Sequence, residues 1–310
     1  MTREQEAAGS GTVAVHDPVV VSGPAAAEAD PRPVLVVGAS GKTGRAVSRA
    51  LMARGVPVRA GVRPGREGAA PAGATSVPLD LVTGSGLEEA LSGARAAYHM
   101  APNVHPDEVM MARRVAEAAS AVGLPHLVFH SVLHPEDARM PHHLHKGDAE
   151  AVLAQEFSGS LVVLRPCAYH QNVLPQVLAG EVVLPYSADS PFTTVDLDDV
   201  AEAAAVVLLD PSRGGEVHDL CGPEVLSTRR MVEVAAEVLG RPVALRETTV
   251  DAWRNGPGAG LPAEARDVLA AMFTAYDEDG LVGDPAPLTA LLGRSPTPWA
   301  ETLRRTLPSS

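Results

Sequence analysis

The chain has 310 residues, a hydrophobic fraction of 45% and a formal net charge of −13 at pH 7. This length and apolar content allow one large domain, or a domain with a smaller lobe, around an ample core. The acidic balance disfavours nucleic acid as a partner, because its phosphates would be repelled. No run of about 18 apolar residues is present, so the sequence predicts no membrane span.

Cysteine and lysine are both scarce. Cys167 and Cys221 are too few for a disulfide framework and fit a reducing compartment. The N-terminus lacks the apolar stretch of a secretory signal, so we expect a cytoplasmic protein. Lys42 and Lys146 are the only lysines, whereas arginine occupies every other strongly basic position. These two lysines are therefore candidates for specific roles.

Residues 1–32 are rich in Ala, Gly, Glu and Pro and show little periodicity, which is typical of a flexible N-terminal extension. Within this extension, Val19–Val21 is the run that favours a strand. The character of the chain changes at Pro33, where regular apolar patterns begin.

Short apolar runs alternate with helical patterns from Pro33 onward. The runs lack in/out alternation, which indicates strands covered on both faces. They are Val34–Val37, Pro57–Val62, Ser76–Leu79, Ala96–Met100, Leu127–His130 and Leu161–Leu164. The clearest helix between them is Asp107–Val122, which Gly123 is suited to end. This alternation predicts an α/β fold with a doubly wound parallel Rossmann sheet over residues 33–166.

The pattern changes after Arg165-Pro166. The predicted elements there are strands at Val182–Pro185, Pro191–Val195 and Val217–Leu220, and helices at Asp198–Leu209 and Thr228–Leu239. Ser227 suits the cap of the second helix, and the tail from Asp251 is helical but interrupted by Gly and Pro. We therefore expect a smaller, mostly helical C-terminal substrate lobe over residues 167–310, in which residues 182–220 return strands to the sheet.

A glycine pattern follows the first predicted strand and opens a helix over Arg45–Arg54. Gly38 permits a tight turn, Gly41 lets the backbone approach a pyrophosphate, and Gly44 lets helix and strand pack closely. The free N–H groups of a helix N-terminus bind phosphates. We therefore assign the whole loop to a dinucleotide site, including the residues between the glycines: Ser40, Lys42 and Thr43.

Two further positions decide which nucleotide the loop binds. A P-loop, which residues 41–43 resemble, needs a glycine at position 36, where the chain has Val. An NAD site places Asp or Glu about 20 residues beyond the glycines to hold the ribose 2′-hydroxyl. Here Arg63 follows the second strand, and the next acid is Glu67. A guanidinium suits a 2′-phosphate, so the sequence predicts NADP(H), unless Arg63 is an ordinary surface residue.

Several short motifs follow one another along residues 33–245. They are Gly38–Gly44, Arg63, Leu79-Asp80-Leu81, His130-Ser131, Lys146–Glu150, Leu164–Pro166 with Gln171-Asn172, and Asp199-Val200. This set resembles the NmrA-like branch of the atypical short-chain dehydrogenase/reductases. The resemblance implies NADP(H) binding, with Asp80 and Leu81 near the adenine, Ala101-Pro102 along the path to the nicotinamide, and Pro166 in the cofactor site. The branch contains both reductases and redox-sensing binding proteins, so the chemistry stays open.

The candidate catalytic residues are Ser131, His142 and Lys146. In the wider superfamily a Tyr four residues before a Lys is the acid, and a Ser orients the carbonyl. Four residues make one helical turn, so the two side chains share a face. His142 holds the tyrosine's position here and either delivers a proton or faces solvent. Lys146 is the alternative proton donor, or it only holds the nicotinamide ribose.

Histidines are dense near these positions. The i, i+3 spacing of His142 and His145, with no cysteine or paired carboxylate to complete a tetrahedral set, disfavours a metal site. Tyr169, His170 and Asn172 follow the sixth predicted strand and are candidates for the substrate side of the nicotinamide. Tyr169 is a core residue in the alternative interpretation.

Three functions fit these features. The one we expect is an NADPH-dependent reductase of a small conjugated or aromatic carbonyl compound, of the kind that tailors natural products. The second is an NADP(H)-sensing regulatory protein without catalysis. The third is a redox-neutral isomerase, dehydratase or cyclisation enzyme that uses the same cleft. The expected partners are a small-molecule substrate and a second copy of the chain in a homodimer, with no nucleic acid, membrane or metal.

Overall fold

The computed structural model describes residues 30–307 of the chain. The predicted extension, residues 1–32, falls mostly outside this range, as does the predicted strand Val19–Val21. The strands are β1 (Val34–Val37), β2 (Val58–Val62), β3 (Thr75–Pro78), β4 (Ala96–His99), β5 (His126–His130), β6 (Ser160–Pro166), β7 (Glu181–Leu184), β8 (Pro191–Thr193), β9 (Val217–Leu220), β10 (Val225–Ser227) and β11 (Ala244–Glu247). The helices are α1 (Lys42–Met52), α2 (Leu87–Leu91), α3 (Glu108–Ala121), α4 (Pro141–Glu156), α5 (His170–Ala179), α6 (Leu197–Leu208), α7 (Thr228–Leu239), α8 (Val250–Asn255), α9 (Ala263–Asp279), α10 (Ala286–Leu292) and α11 (Trp299–Thr306).

Within the described residues, seven strands form one parallel sheet in the order β3-β2-β1-β4-β5-β6-β9. Val34 of β1 is paired with Val58 of β2 on one side and with Ala96 of β4 on the other. The chain winds outward from β1 in one direction and then returns to β4 to wind in the other. This confirms the predicted doubly wound Rossmann sheet and places its switch point between β1 and β4, where open α/β sheets bind ligands.

Both faces of the sheet are buried. Val34 and Val36 of β1 pack in one core with α1 and α6. Leu35 and Val37 point the opposite way and pack in a second core with α2, α3 and α4. Successive side chains of a strand point to opposite faces, so a strand covered on both sides reads as an unbroken apolar run.

Local capping decides where the helices begin. α1 starts at Lys42, three residues before the predicted Arg45, because the Gly41 carbonyl already accepts a hydrogen bond from the Arg45 N–H at 3.0 Å. Ahead of α7, the Ser227 hydroxyl accepts from the Arg230 N–H at 3.2 Å, which confirms the predicted cap.

The C-terminal part is mostly helical, as predicted. β9 pairs with β6 in the main sheet, whereas β7 pairs with β11 and β8 with β10 in two small sheets. Trp299 is fully buried in a separate core of this part and donates its indole N–H to the Met231 carbonyl at 2.8 Å.

Among residues 30–307, no helix has both the length and the apolar content to cross a bilayer. The division into a core over residues 33–166 and a lobe over 167–310 stays a prediction.

Candidate active site

The glycine loop lies at the carboxyl end of β1 and opens α1. Gly38 has a φ of +70°, in the left-handed region that favours glycine. A Cβ on Gly44 would lie 2.3 Å from the Gly38 carbonyl oxygen, so only glycine lets α1 pack this closely. No side chain of the described residues caps the N-terminus of α1, which leaves its first N–H groups for an anion. The loop therefore fits the pyrophosphate of a dinucleotide.

From this loop a cleft of about 640 Å³ runs along the carboxyl edge of the sheet. Most of the predicted site residues line it: Gly38, Ser40, Gly41, Lys42, Thr43, Arg63, Asp80, Leu81, Ala101, Pro102, Ser131, His142, Lys146, Pro166, Tyr169 and Asn172. Gly44 lies outside the lining and supports the turn. His170 also lies outside it, because its ring packs against Trp299 and its Nδ1 is 2.7 Å from the Thr302 hydroxyl. The predicted cofactor and catalytic residues thus meet in one cleft, whereas His170 belongs to the C-terminal core.

Arg63, directly after β2, lines one end of the cleft. Its guanidinium is exposed and pairs with no acid among residues 30–307. Glu67 accepts a hydrogen bond from the Gly65 N–H at 3.0 Å, and backbone hydrogen bonds lower the pKa of this exposed carboxyl. Asp80 is also held by its own loop, since its Oδ1 accepts from the Val82 N–H at 2.8 Å. Arg63 therefore presents a free cationic group to a ribose 2′-phosphate.

Lys146 is buried in α4 and held from two sides. Its Nζ lies 2.9 Å from the carboxylate of Glu108, which is fully buried at the start of α3. The ammonium also donates to the His130 carbonyl at 3.0 Å. Neither Glu108 oxygen has a well-aligned hydrogen-bond donor among the described residues, so Lys146 and Glu108 form an ion pair without a hydrogen bond. Breaking a buried pair leaves an uncompensated charge, and this fixes the ammonium in the cleft wall.

His142 lies one helical turn before Lys146 and lines the same cleft, with only 8% of its surface exposed. Burial, assisted by repulsion from Lys146, lowers the pKa of His142 to about 3. The imidazole is therefore neutral at physiological pH. It can donate one hydrogen bond, but it carries no imidazolium proton to deliver. Its Nδ1 has no hydrogen-bond partner among the described residues.

Ser131 follows β5, and its hydroxyl donates a short hydrogen bond to Glu150. The same carboxylate accepts from Arg165, whose Nε lies 3.0 Å from Oε1. Because its hydrogen is committed to Glu150, Ser131 presents an acceptor rather than a donor to the cleft. This differs from a serine that orients a substrate carbonyl by donating to it.

A second cavity of about 780 Å³ adjoins the cleft. The two spaces share Ala168, Tyr169, Asn172, Met272 and Tyr276. The C-terminal part of the chain contributes most of the remaining lining. Lys42 of the glycine loop donates to the Asn172 side chain at 2.7 Å and lies 5.3 Å from the centre of the Tyr169 ring. The cofactor loop and the second cavity therefore meet at Tyr169.

The histidines of this region have separate partners. His143 Nδ1 lies 3.2 Å from the His134 carbonyl, and the His130 ring lies between the hydroxyls of Tyr98 and Tyr169. Among the described residues, no group of three His, Cys, Asp or Glu side chains has a metal-binding arrangement.

Sequence pattern does not identify the groups that fix the catalytic candidates in place. Glu108 is one acid at the start of a helix, a common position that carries no specific signal. Glu150 follows Lys146 by one helical turn and belongs to a recognised motif, but its contact with Ser131 depends on tertiary packing. Tyr98 stands inside an apolar strand, where a core position is the ordinary expectation.

Fold and site together define a Rossmann-type oxidoreductase whose cofactor is NADP(H). The uncapped helix, the close-packed glycines and the free Arg63 each fit one part of that dinucleotide. The chain belongs to the NmrA-like family, whose model matches residues 31–301.

Comparison with individual proteins agrees with this assignment. The chain is 32% identical over 235 residues to a (4-alkanoyl-5-oxo-2,5-dihydrofuran-3-yl)methyl phosphate reductase of Streptomyces griseus, covering 74% of this chain and 82% of that protein. It is 25% identical over 276 residues to an NAD(P)H azoreductase of Xenophilus azovorans, covering 86% and 96%. The solved structure of an NADPH-dependent quinone oxidoreductase from Escherichia coli with NADPH has the same fold, with a TM-score of 0.75, 23% identity and coverage of 88% and 99%.

Proposed function

We propose that this oxidoreductase reduces a small conjugated or aromatic carbonyl compound with NADPH. The lining of the second cavity carries the proposal. The chain has four Tyr, four Phe and two Trp in all, and six of these residues line that cavity: Tyr169, Tyr186, Phe192, Trp253, Phe273 and Tyr276. In a chain with 3% aromatic residues, this concentration favours a flat, unsaturated ligand that packs against rings.

The position of the second cavity supports the same substrate class. It opens on the cofactor cleft at Tyr169, close to the end of the cleft that Ser131, His142 and Lys146 line. A ligand whose apolar part fills the cavity therefore reaches the catalytic candidates with its other end. Aromatic walls also exclude water from the reacting groups, which strengthens electrostatic interactions there.

The names of the relatives are consistent with an unsaturated electron acceptor. The Streptomyces griseus substrate is a dihydrofuranone, a lactone whose carbonyl is conjugated with a carbon–carbon double bond. Two other relatives are named for azo compounds and for quinones. We infer that conjugated lactones, enones and quinones are the compounds to test, including those that occur as natural-product intermediates.

The residues of the chain position both reactants. NADPH bound in the cleft supplies the hydride. The N-terminus of α1 binds the pyrophosphate, and Arg63 binds the 2′-phosphate. Lys146, fixed by Glu108, donates to the nicotinamide ribose, and neutral His142 donates one further hydrogen bond beside it. These groups are held before the substrate enters, so little reorganisation is needed during the reaction.

A panel of acceptors tests the proposal. NADPH absorbance is followed with quinones, enones, conjugated lactones and saturated ketones of similar size. We expect oxidation of NADPH with the conjugated compounds and none with the saturated ketones. If no member of the panel is reduced, while NADPH and NADP⁺ change proteolysis of the C-terminal part differently, the protein is a sensor and not a reductase.

A further inference from the structure

Three hydrogen-bonded rings lie beneath the junction of the cleft and the second cavity. The Tyr98 hydroxyl contacts His130 Nδ1 in a short hydrogen bond, and the Tyr169 hydroxyl lies 2.7 Å from His130 Nε2. Tyr98 is on β4, His130 ends β5, and Tyr169 follows β6, so three adjacent strands hold the rings. Tyr98 is fully buried, whereas Tyr169 lines both spaces.

The direction of these hydrogen bonds follows from proton counting. Burial lowers the pKa of His130 to about 3, so its ring is neutral and carries one hydrogen, on either Nδ1 or Nε2. Within the described residues, the Tyr98 hydroxyl has only His130 Nδ1 as a partner. A fully buried hydroxyl that donates to nothing is strongly disfavoured, so Tyr98 donates to Nδ1. The hydrogen of His130 is therefore on Nε2, and the Tyr169 oxygen accepts it.

This arrangement leaves the Tyr169 hydrogen uncommitted to His130, while the Tyr169 oxygen accepts the hydrogen of His130 Nε2. Burial raises the pKa of Tyr169, and a smaller side-chain effect of Thr43 lowers it. The ammonium of Lys42 lies 5.3 Å from the ring centre. The His130 Nε2–H donor and the nearby Lys42 cation stabilise the phenolate that remains when the phenol gives up its proton.

We propose that Tyr169 is the proton donor of the reaction, and that His130 and Tyr98 are positioning residues that fix its hydrogen toward the substrate. The proposal rests on the proposed function. In the reduction of an enone, the hydride from NADPH bonds to the β-carbon, and the π electron pair moves to give an enolate. The Tyr169 O–H bond then breaks and its proton goes to the enolate. The phenolate regains a proton from water, so one substrate, one NADPH and one proton are consumed.

Removal of the hydroxyl tests the role directly. Tyr169→Phe is compared with wild type and with Tyr186→Phe, which removes another hydroxyl from the second cavity. We expect Tyr169→Phe to lower the single-turnover rate at least about a hundredfold and to abolish the solvent isotope effect, with NADPH affinity retained and the protein still folded. Tyr186→Phe is expected to change the substrate KM and to retain the solvent isotope effect. A Tyr169→Phe rate within threefold of wild type would overturn the proposal.

A second measurement needs no turnover. Nitrogen NMR of ¹⁵N-histidine-labelled protein reports which ring nitrogen of His130 carries hydrogen, with His130→Gln used to assign the signals. We expect hydrogen on Nε2, and a shift of this hydrogen toward Nδ1 in Tyr98→Phe. Hydrogen on Nδ1 in the wild type would mean that Tyr169 donates to His130, and this overturns the donor role whatever the kinetics. A wild type with the expected tautomer that reduces no acceptor overturns the proposed function, and the donor role with it.

Discussion

The two ends of the cofactor cleft are built in different ways. The phosphate end is formed by consecutive residues, Gly38–Gly44, and by the backbone N–H groups of α1. The chemical end is formed by Ser131, Lys146 and Tyr169, each held by a partner distant in sequence. Backbone geometry makes the first end, whereas buried charge and hydrogen bonding make the second. Substitutions at the two ends should therefore have different effects. Those at the phosphate end should weaken nucleotide binding, whereas those at the chemical end should lower turnover and stability.

The largest effect on nucleotide binding is expected at the phosphate end. In Gly41→Val the new Cβ lies 3.3 Å from the Gly38 carbonyl oxygen, a contact that a shift of a few tenths of an ångström relieves, and the side chain takes the place of the pyrophosphate. We expect a loss of at least about 3 kcal/mol in NADPH binding, roughly a hundredfold, with the protein still folded. Calorimetric titration measures this. Wild-type affinity in the variant would mean that the cofactor does not lie on this loop.

At the chemical end, Lys146→Ala should act on turnover and stability together. The reduction rate should fall about a hundredfold, because a positioning group is lost. The free energy of unfolding should fall by about 3–5 kcal/mol, because Glu108 is left buried and unpaired. The double variant Lys146→Met with Glu108→Gln is the matched control. It should recover much of the stability but none of the activity, and recovery of both would remove Lys146 from the site.

Arg63→Ala should change nucleotide preference without changing the fold. We expect wild type to bind NADPH at least about tenfold more tightly than NADH, since a charge-assisted hydrogen bond contributes about 1.5–3 kcal/mol. The variant should lose most of this preference. NADH affinity is the internal control and should stay the same. Equal affinities for the two nucleotides in the wild type would contradict the role given to Arg63.

The effect expected at His142 is confined to acid pH. Its pKa is 6.5 in the unfolded chain and about 3 in the folded protein, so between these values only the unfolded chain binds the proton. The stability that a neutral His142 allows is present above pH 6.5 and is lost as the pH falls toward 3. When the pH is lowered from 7 to 5, the free energy of unfolding should fall by roughly 2 kcal/mol less in His142→Phe than in wild type. Denaturant unfolding at the two pH values measures this difference. An equal fall in the free energy of unfolding of the two proteins would mean that His142 is solvated.

Much of the fold could be predicted because its signals are local. Strand β1 and helix α7 have the predicted bounds, since a run rich in valine and a serine cap specify them directly. Strand β9 also has the predicted bounds. Helix α5, which contains Pro175, and strands β10 and β11 gave no such signal. The short strands are stabilised by pairing in two-stranded sheets, a contact that sequence pattern does not reveal.

The candidate site divides in the same way. Gly38 and Arg63 were predictable because a backbone turn and a strand end determine where they lie. The neutrality of His142, the commitment of Ser131 to Glu150 and the position of His170 in the C-terminal core depend on what packs around each side chain. The predicted homodimer and the predicted cytoplasmic location stay predictions.

The central claim is that hydride passes from NADPH to a conjugated substrate bound in the aromatic cavity. The most direct measurement uses NADPH with two deuterium atoms at C4 of the nicotinamide, followed by mass spectrometry of the product from the best enone or conjugated lactone of the panel. We expect one deuterium per product molecule on the carbon that was electrophilic, and one NADPH consumed for each product formed. Product that contains no deuterium, or that forms without consumption of NADPH, would contradict the account.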